Sequence, residues 1–248
     1  MLGMRKILGI TFDLWDTLIK ELPGNSEKVA RIRIDRMSDV LDRGGHAHSR
    51  EELEEAYNKL GMFLDFTWAK MRDMPVRDHV LFMLNCVECR LASRLAPEDF
   101  AAIEKIYADS ILESPPALLP NVRETLAAVR EKGYRVGLIS NTGKTPGSTL
   151  RVVMEDLGVL QYFGVTTFSN EILVRKPAEG AFKVTLESMK LLPRAAVHIG
   201  DDPEKDVEAA RNAGMHAIQT LTTGARRADS ADGYVTDLGQ VLEAIERL

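Results

Sequence analysis

Few cysteines and no long apolar stretch are present in this sequence, and these two absences exclude several protein classes. Two cysteines among 248 residues are too few for a disulfide framework and fit a reducing compartment. No apolar run reaches the ~18 residues that a membrane-spanning helix needs. Positive charge is not in excess, because 32 Lys and Arg stand against 37 Asp and Glu, for a net charge of −5. Binding to nucleic acid or to an anionic membrane surface is therefore not expected.

The remaining composition is that of a folded globular protein. Hydrophobic residues make up 45% and charged residues 28% of the chain, which argues against intrinsic disorder. The length fits one large domain or two modest ones. The apolar run at residues 7–12 is too short for a signal peptide and ends at Asp13. We expect a cytoplasmic protein, and the sequence leaves monomer and homodimer both open.

Short apolar runs alternate with amphipathic stretches near both ends of the chain. Several of these runs are rich in β-branched residues, and they occupy residues 5–12, 135–139, 165–168, 197–199 and 216–220. Helical patterns lie between them, and Asn121 with Glu124 is the expected capping pair of the first. Strand and helix in repetition predict an α/β fold with a doubly wound parallel sheet.

The middle of the chain follows a different pattern. Apolar residues between 20 and 114 recur at helical spacing and predict about four helices, with Ser49 and Glu52 as a capping box before one of them. We therefore predict a core domain of residues 1–19 and 115–248, interrupted by an all-helical cap domain of residues 20–114.

Polar side chains follow each strand of the predicted core. They are Asp13 and Thr17 after the first, Ser140 and Asn141 after the second, Lys176 after the third, and Asp201, Asp202 and Asp206 after the fourth. Ligands of such sheets bind beyond the carboxyl ends of the strands. Carboxylates gathered there repel one another unless a cation lies between them, and Mg²⁺ prefers oxygen ligands. A carboxylate can also attack phosphorus, while a hydroxyl and an ammonium hold the phosphoryl oxygens. This set predicts phosphoryl transfer on a small molecule.

The order and spacing of these residues resemble the four motifs of the haloacid dehalogenase (HAD) superfamily of hydrolases. The motifs here read Asp13-x-x-x-Thr17, Ser140-Asn141, Lys176-Pro177 and Gly200-Asp201-Asp202-x-x-x-Asp206. The resemblance covers the whole predicted core and implies a Rossmann-like three-layer α/β/α architecture. The helical insert resembles the C1-type cap of subfamily I.

The resemblance also implies roles for the motif residues. Asp13 would be the nucleophile that forms an aspartyl-phosphate, and Lys176 would neutralise the charge that develops. Ser140 would hold the transferred phosphoryl group, and Thr17 and Asn141 would help to bind the substrate, a small phosphorylated metabolite.

The cofactor implied by the resemblance is Mg²⁺. Its ligands would be the carboxylates of Asp13 and Asp201 and the backbone carbonyl of Trp15. Asp202 and Asp206 would act through water or from behind these ligands.

One position departs from the phosphatase pattern of the family. Phosphatases that it resembles carry a second Asp two residues after the nucleophile as general acid and base, and Trp15 stands there. Asp16 is a possible substitute, although an extended strand exit would point its side chain elsewhere. Dehalogenases of the family also lack that Asp, but Asp201 and Asp202 resemble the metal-binding fourth motif. The leading expectation is a phosphatase, and the alternatives are a 2-haloacid dehalogenase-like hydrolase and a weakly catalytic phosphometabolite-binding module.

Overall fold

The computed structural model of the protein describes residues 7–248, and these residues form two β-sheets. The strands are β1 (Gly9–Phe12), β2 (Ile19–Lys20), β3 (Ala117–Leu118), β4 (Arg135–Ser140), β5 (Val165–Phe168), β6 (Ala196–Gly200), β7 (His216–Thr220) and β8 (Gly233–Val235). Six of them form a sheet in the order β5-β4-β1-β6-β7-β8, and every pairing in it is parallel. The order steps outward in both directions from β1, so the sheet is doubly wound as predicted.

Eleven α-helices lie within residues 7–248. They are α1 (Asn25–Arg43), α2 (Arg50–Trp68), α3 (Val76–Val87), α4 (Leu91–Arg94), α5 (Pro97–Asp109), α6 (Val122–Glu131), α7 (Gly147–Asp156), α8 (Ser169–Ile172), α9 (Glu179–Met189), α10 (Ala209–Asn212) and α11 (Val241–Glu246). Four short 3-10 turns and one π-helical segment, Pro203–Glu208, complete the regular structure. No helix in this part of the chain is long and apolar enough to cross a bilayer.

Helices cover both faces of the six-stranded sheet. Successive strand residues point to opposite faces, and the neighbours Leu138 and Ile139 accordingly belong to two different apolar clusters. The cluster around Leu138 includes side chains of α6, α7 and α11, whereas the cluster around Ile139 includes side chains of α9 and α10. This arrangement confirms the predicted three-layer α/β/α fold.

Helices α1 to α5 have a hydrophobic core of their own. All buried members of that cluster lie between Ile34 and Tyr107, and the capping box of Ser49 and Glu52 at the start of α2 is confirmed. The two connections to this segment run side by side, because β2 pairs antiparallel with β3. The boundaries at residues 19 and 115 stay a prediction.

Two local details differ from the sequence-based expectation. Asn121 does not cap α6 with its side chain, which instead donates hydrogen bonds to the carboxylate of Asp237 at 2.7 and 2.9 Å. Strand β8 was not predicted, because three residues beginning with a glycine give little apolar periodicity.

Candidate active site

The site lies beyond the carboxyl ends of β1, β4 and β6, where Lys176 joins two carboxylates. Its ammonium donates hydrogen bonds to Asp13 at 2.5 Å and to Asp206 at 2.6 Å. These three side chains are buried. Asp13 is fixed by its backbone amide, which donates to Ile199 of β6 at 2.9 Å. Residues up to 193 positions apart in sequence therefore meet at one buried ammonium, as expected from the strand order.

Asn141 holds Lys176 in place through both ends of its side-chain amide. The amide nitrogen donates to the Lys176 carbonyl at 2.9 Å, and the amide oxygen accepts from the Lys176 backbone N–H at 2.8 Å. The loop that follows β4 is thereby tied to the segment that presents the lysine. The predicted role of Asn141 in substrate binding stays a prediction, and the residue lines both cavities of the site as well as contacting Lys176.

Asp206 has two further contacts besides Lys176. Its carboxylate accepts from the backbone N–H of Asp202 at 3.0 Å and lies 3.2 Å from Nε2 of His198. Burial lowers the pKa of His198, and Thr11 lies 2.8 Å from its Nδ1, so a neutral ring with its proton on Nε2 fits both contacts. A side chain at Gly200 would lie 2.3 Å from the Asp206 carboxyl carbon, so only glycine fits there.

The carboxylates of Asp13, Asp201 and Asp206 form the one group of metal-ligand type found among residues 7–248. One oxygen of each lies within 4.8 Å of the others. Burial raises the pKa of Asp13 to about 8 against the attraction of Lys176, and burial with the Asp206 charge raises that of Asp201 to about 6. For Asp206, Lys176 and His198 outweigh burial and lower the pKa. The three clustered carboxylates thus have one ammonium beside them, which pairs with Asp13 and Asp206 only. This deficit of positive charge suits a divalent cation with oxygen ligands.

The other predicted site residues have different surroundings. Asp202 caps the π-helical segment, accepting from the N–H groups of Glu204 and Lys205, and pairs with the Lys205 ammonium at 2.5 Å. It lies outside the three-carboxylate group, so its metal role stays a prediction. Ser140, at the end of β4, and Thr17 are buried, and the Thr17 hydroxyl has no hydrogen-bond partner among residues 7–248. Their roles in binding the phosphoryl group also stay predictions.

Asp16 lies closer to Asp13 than expected. Its φ of 57° turns the chain out of the extended conformation, and its side chain lines a cavity of about 200 Å³ together with Asp13, Lys176 and Asp201. The expectation that Asp16 points away from the site is therefore wrong. Its nearby charge also contributes to the raised pKa of Asp201, after burial and Asp206.

A second, larger cavity of about 630 Å³ adjoins the first. Trp15, Asn141 and Arg175 line both of them. The larger cavity extends between α1 and α2 on one side and the loop after β4 on the other. Trp15 therefore stands between the carboxylate group and a space large enough for a small organic molecule.

A buried ion pair beside the site was not predicted from sequence. The Asp73 carboxylate accepts from Arg175 at 2.7 Å, from Ser169 at 2.5 Å and from Thr142 at 3.1 Å. Arg175 immediately precedes Lys176, which is the only signal that the sequence offered for it. The sequence offered no signal for Asp73, because its contact with Arg175 joins residues 102 positions apart.

Comparisons with known proteins agree with this geometry. The sequence model of the family described as "haloacid dehalogenase-like hydrolase" matches residues 7–214. The glyceraldehyde 3-phosphate phosphatase of Pyrococcus furiosus is 25% identical over 98% of this chain and 95% of its own. The phosphoglycolate phosphatase of Escherichia coli (strain K12) is 28% identical over 91% of this chain and 85% of its own.

Among solved structures, the 2-haloacid dehalogenase of Pseudomonas syringae pv. Tomato DC3000 superimposes with a TM-score of 0.69 at 25% identity. The match covers 97% of this chain and 99% of that one. The family match over residues 7–214 defines the class. The chain belongs to the haloacid dehalogenase-like hydrolases and is an enzyme of that superfamily.

Proposed function

We propose that this enzyme is a Mg²⁺-dependent phosphatase for a small phosphorylated metabolite. The observation that carries the proposal is the group of three carboxylates, Asp13, Asp201 and Asp206, of which only Asp13 and Asp206 pair with the lysine. A halide-displacing nucleophile has no need of Asp201, whereas phosphoryl transfer needs positive charge on both sides of the reacting group. The names of two relatives, a phosphoglycolate phosphatase and a glyceraldehyde 3-phosphate phosphatase, favour the same reaction.

The chain's own residues supply the following steps. A carboxylate oxygen of Asp13 attacks phosphorus, and the bond from phosphorus to the ester oxygen breaks. The leaving oxygen takes up a proton from solvent water, because Trp15 has none to give. Water then attacks phosphorus and breaks its bond to Asp13, releasing inorganic phosphate. Lys176 stabilises the negative charge throughout, Asn141 keeps it in position, and Ser140 and Thr17 bind the phosphoryl oxygens.

The metal would be held by the carboxylates of Asp13 and Asp201 and the carbonyl of Trp15. It would supply positive charge to the phosphoryl oxygens. Asp206, whose oxygens bond to Lys176, His198 and the Asp202 amide, would position the lysine rather than the metal. The insert of residues 20–114 would act as a cap that keeps bulk water from the intermediate.

The test is phosphate release from 4-nitrophenyl phosphate, because this leaving group needs no proton donor. We expect turnover with Mg²⁺, loss of turnover with a chelator, and loss in Asp13→Asn. Asp156→Asn, at the end of α7 in the core, is the matched control and should leave the rate unchanged. Metal-independent turnover, or full activity in Asp13→Asn, would refute the proposal.

A dehalogenase is the second candidate, and Trp15 is the observation that favours it. Displacement of halide from carbon needs no proton donor at this position, and a 2-haloacid dehalogenase shares the fold at 25% identity. Halide release from a 2-haloacid in the presence of chelator, without phosphate release from the aryl phosphate, would select it. Absence of both reactions, with phosphate still bound, would indicate a binding module.

A further inference from the structure

The larger cavity is where the organic part of a substrate would lie. Trp15, Asn141 and Arg175 line it as well as the cavity that contains Asp13. The rest of a substrate whose phosphoryl group lies at Asp13 can therefore extend into this adjoining space of about 630 Å³. The charged groups on its wall then determine which substrates fit.

Three basic residues line this space, and two of them, Arg33 and Arg175, are held by hydrogen bonds within the protein. Arg33 donates to the Tyr107 carbonyl at 2.8 Å, the Tyr57 hydroxyl at 3.0 Å and the Thr145 hydroxyl at 3.0 Å. Arg175 pairs with Asp73 and lies with its guanidinium 4.4 Å from the centre of the Trp68 ring. The charge of Arg175 is therefore neutralised, whereas Arg33 keeps its charge but is buried and donates to neutral groups of the protein.

Lys144 is the third basic residue, and its charge is not neutralised. Its ammonium lies 3.7 Å from the centre of the Tyr57 ring, and no carboxylate of residues 7–248 lies within 4.0 Å of it. Gly61 of α2 lies beside this ammonium, since a Cβ atom at that position would lie 3.6 Å from it, an ordinary contact distance. A cation on an aromatic face keeps its positive charge and its N–H donors.

Contacts within the protein support the position of Lys144 without a ligand. Tyr57, against which it packs, is itself fixed by the hydrogen bond from Arg33. The acidic residues of the same cavity, Glu21 and Glu27, are exposed at its rim, and Glu21 accepts from Ser26 at 2.8 Å. A half-buried ammonium held in place without a counter-ion is suited to bind an anionic group of a ligand.

We propose that Lys144 binds a second anionic group on the phosphorylated substrate, so that the enzyme selects phosphate monoesters that also carry a carboxylate or a second phosphate. This inference rests on the proposed phosphatase function, whose phosphoryl group lies at Asp13. It assigns substrate selection to a residue in the loop after β4 that packs against α2.

The experiment compares matched charged and neutral substrates. Phosphorylated hydroxy acids of two, three and four carbons are each assayed beside their primary amides, and a diol bisphosphate is assayed beside its monophosphate. We expect the wild type to favour the charged member of at least one pair by ~10- to 100-fold in kcat/KM, the effect of one charge-assisted hydrogen bond. The pair with the largest ratio identifies the group that Lys144 binds.

The variant Lys144→Met should reduce that ratio to within ~3-fold of unity, mainly through KM, whereas Lys144→Arg should keep most of it. A ratio measured on one preparation is independent of the fraction of folded enzyme, so partial misfolding cannot mimic the result. Lys59→Met on α2 removes an exposed lysine paired with Glu55 at 2.8 Å and is the matched control for net charge. An unchanged ratio in Lys144→Met, or no preference in the wild type for any pair, would overturn the inference.

Binding to Asp13→Asn separates this inference from the proposed function. Calorimetry measures the affinity of each acid and its amide without turnover. It is carried out on Asp13→Asn and on the double variant that also carries Lys144→Met. If Asp13→Asn shows a charge preference that depends on Lys144 while the wild type releases no phosphate, the inference is supported and the phosphatase is refuted. Phosphate release with no such preference would do the reverse.

Discussion

Asp73 and Arg175 form an ion pair of 2.7 Å across the junction between the helical segment and the core, and the Asp73 side chain is completely buried there. Backbone contacts lie beside it, since Arg175 donates to the Met71 carbonyl at 3.0 Å and Asp73 donates to the Leu173 carbonyl at 3.2 Å. The next residue, Lys176, contacts Asp13. The helical segment is therefore anchored one residue away from Lys176, the lysine of the candidate site.

Replacement of Asp73 by asparagine should be strongly destabilising. The Arg175 guanidinium would remain largely buried without its counter-charge, which costs about 3–5 kcal/mol of unfolding free energy. Urea denaturation gives the difference directly. Glu54→Gln, which breaks the exposed pair with Arg50, is the control and should cost about 1 kcal/mol or less. Equal losses in the two variants would contradict the anchoring role.

Replacement of Lys176 by methionine should leave three carboxylates facing one another without an ammonium. We expect a loss of about 3–5 kcal/mol in the absence of metal, and a larger gain in melting temperature on addition of Mg²⁺ than the wild type shows. Lys205→Met removes the lysine paired with Asp202, half exposed at the surface, and serves as the control. If Mg²⁺ stabilises Lys176→Met no more than wild type, the three carboxylates do not act together on a cation.

The expectation from sequence was accurate where local patterns carry the information. Short apolar runs marked the strands, so the residues that follow them, Asp13, Ser140 and Asp201, were placed at one edge of the sheet. The spacing of Asp206 from Gly200 was also readable. The structure adds the reason that the glycine is needed, namely the approach of the Asp206 carboxyl group.

Contacts between distant segments could not be predicted in this way. Asp73 lies in a helical segment with ordinary periodicity, and nothing nearby indicates its partner in the core. Asn121 has the residue type of a helix cap, but Asp237 competes for its amide. Asp16 was expected to point away because an extended chain was assumed, and a φ of 57° is a property that its sequence neighbours do not reveal.

His79 should make stability depend on pH. Burial, aided by Arg33, Lys144 and Arg175 and opposed by Asp73, lowers its pKa from 6.5 to about 4. The unfolded chain therefore takes up this proton first as the pH falls. The stability that the neutral His79 ring contributes is complete above pH 6.5 and is lost as the pH falls towards 4. The total loss is about 3 kcal/mol of unfolding free energy.

The variant His79→Leu tests this dependence, because it removes the titrating ring and keeps the position apolar. Its unfolding free energy should fall less than that of the wild type between pH 6.5 and 4. His46→Leu, in the loop between α1 and α2, controls for the loss of a histidine. Parallel pH profiles of wild type and His79→Leu would show that His79 does not control acid stability.

Trp15 should make the rate depend on the leaving group. It stands two residues after Asp13 and lines both cavities, but it has no proton to donate to the departing oxygen. In Trp15→Asp we expect hydrolysis of an alkyl phosphate to rise by ~10²-fold or more, whereas hydrolysis of 4-nitrophenyl phosphate changes little, because nitrophenolate leaves without a proton. Trp15→Asn opens the same space without an acid and is the matched control. If Trp15→Asn accelerates hydrolysis of the alkyl phosphate equally, the gain comes from the added space. The wild-type enzyme would then already have a proton donor, and Asp16, which lines the cavity of Asp13, is the candidate.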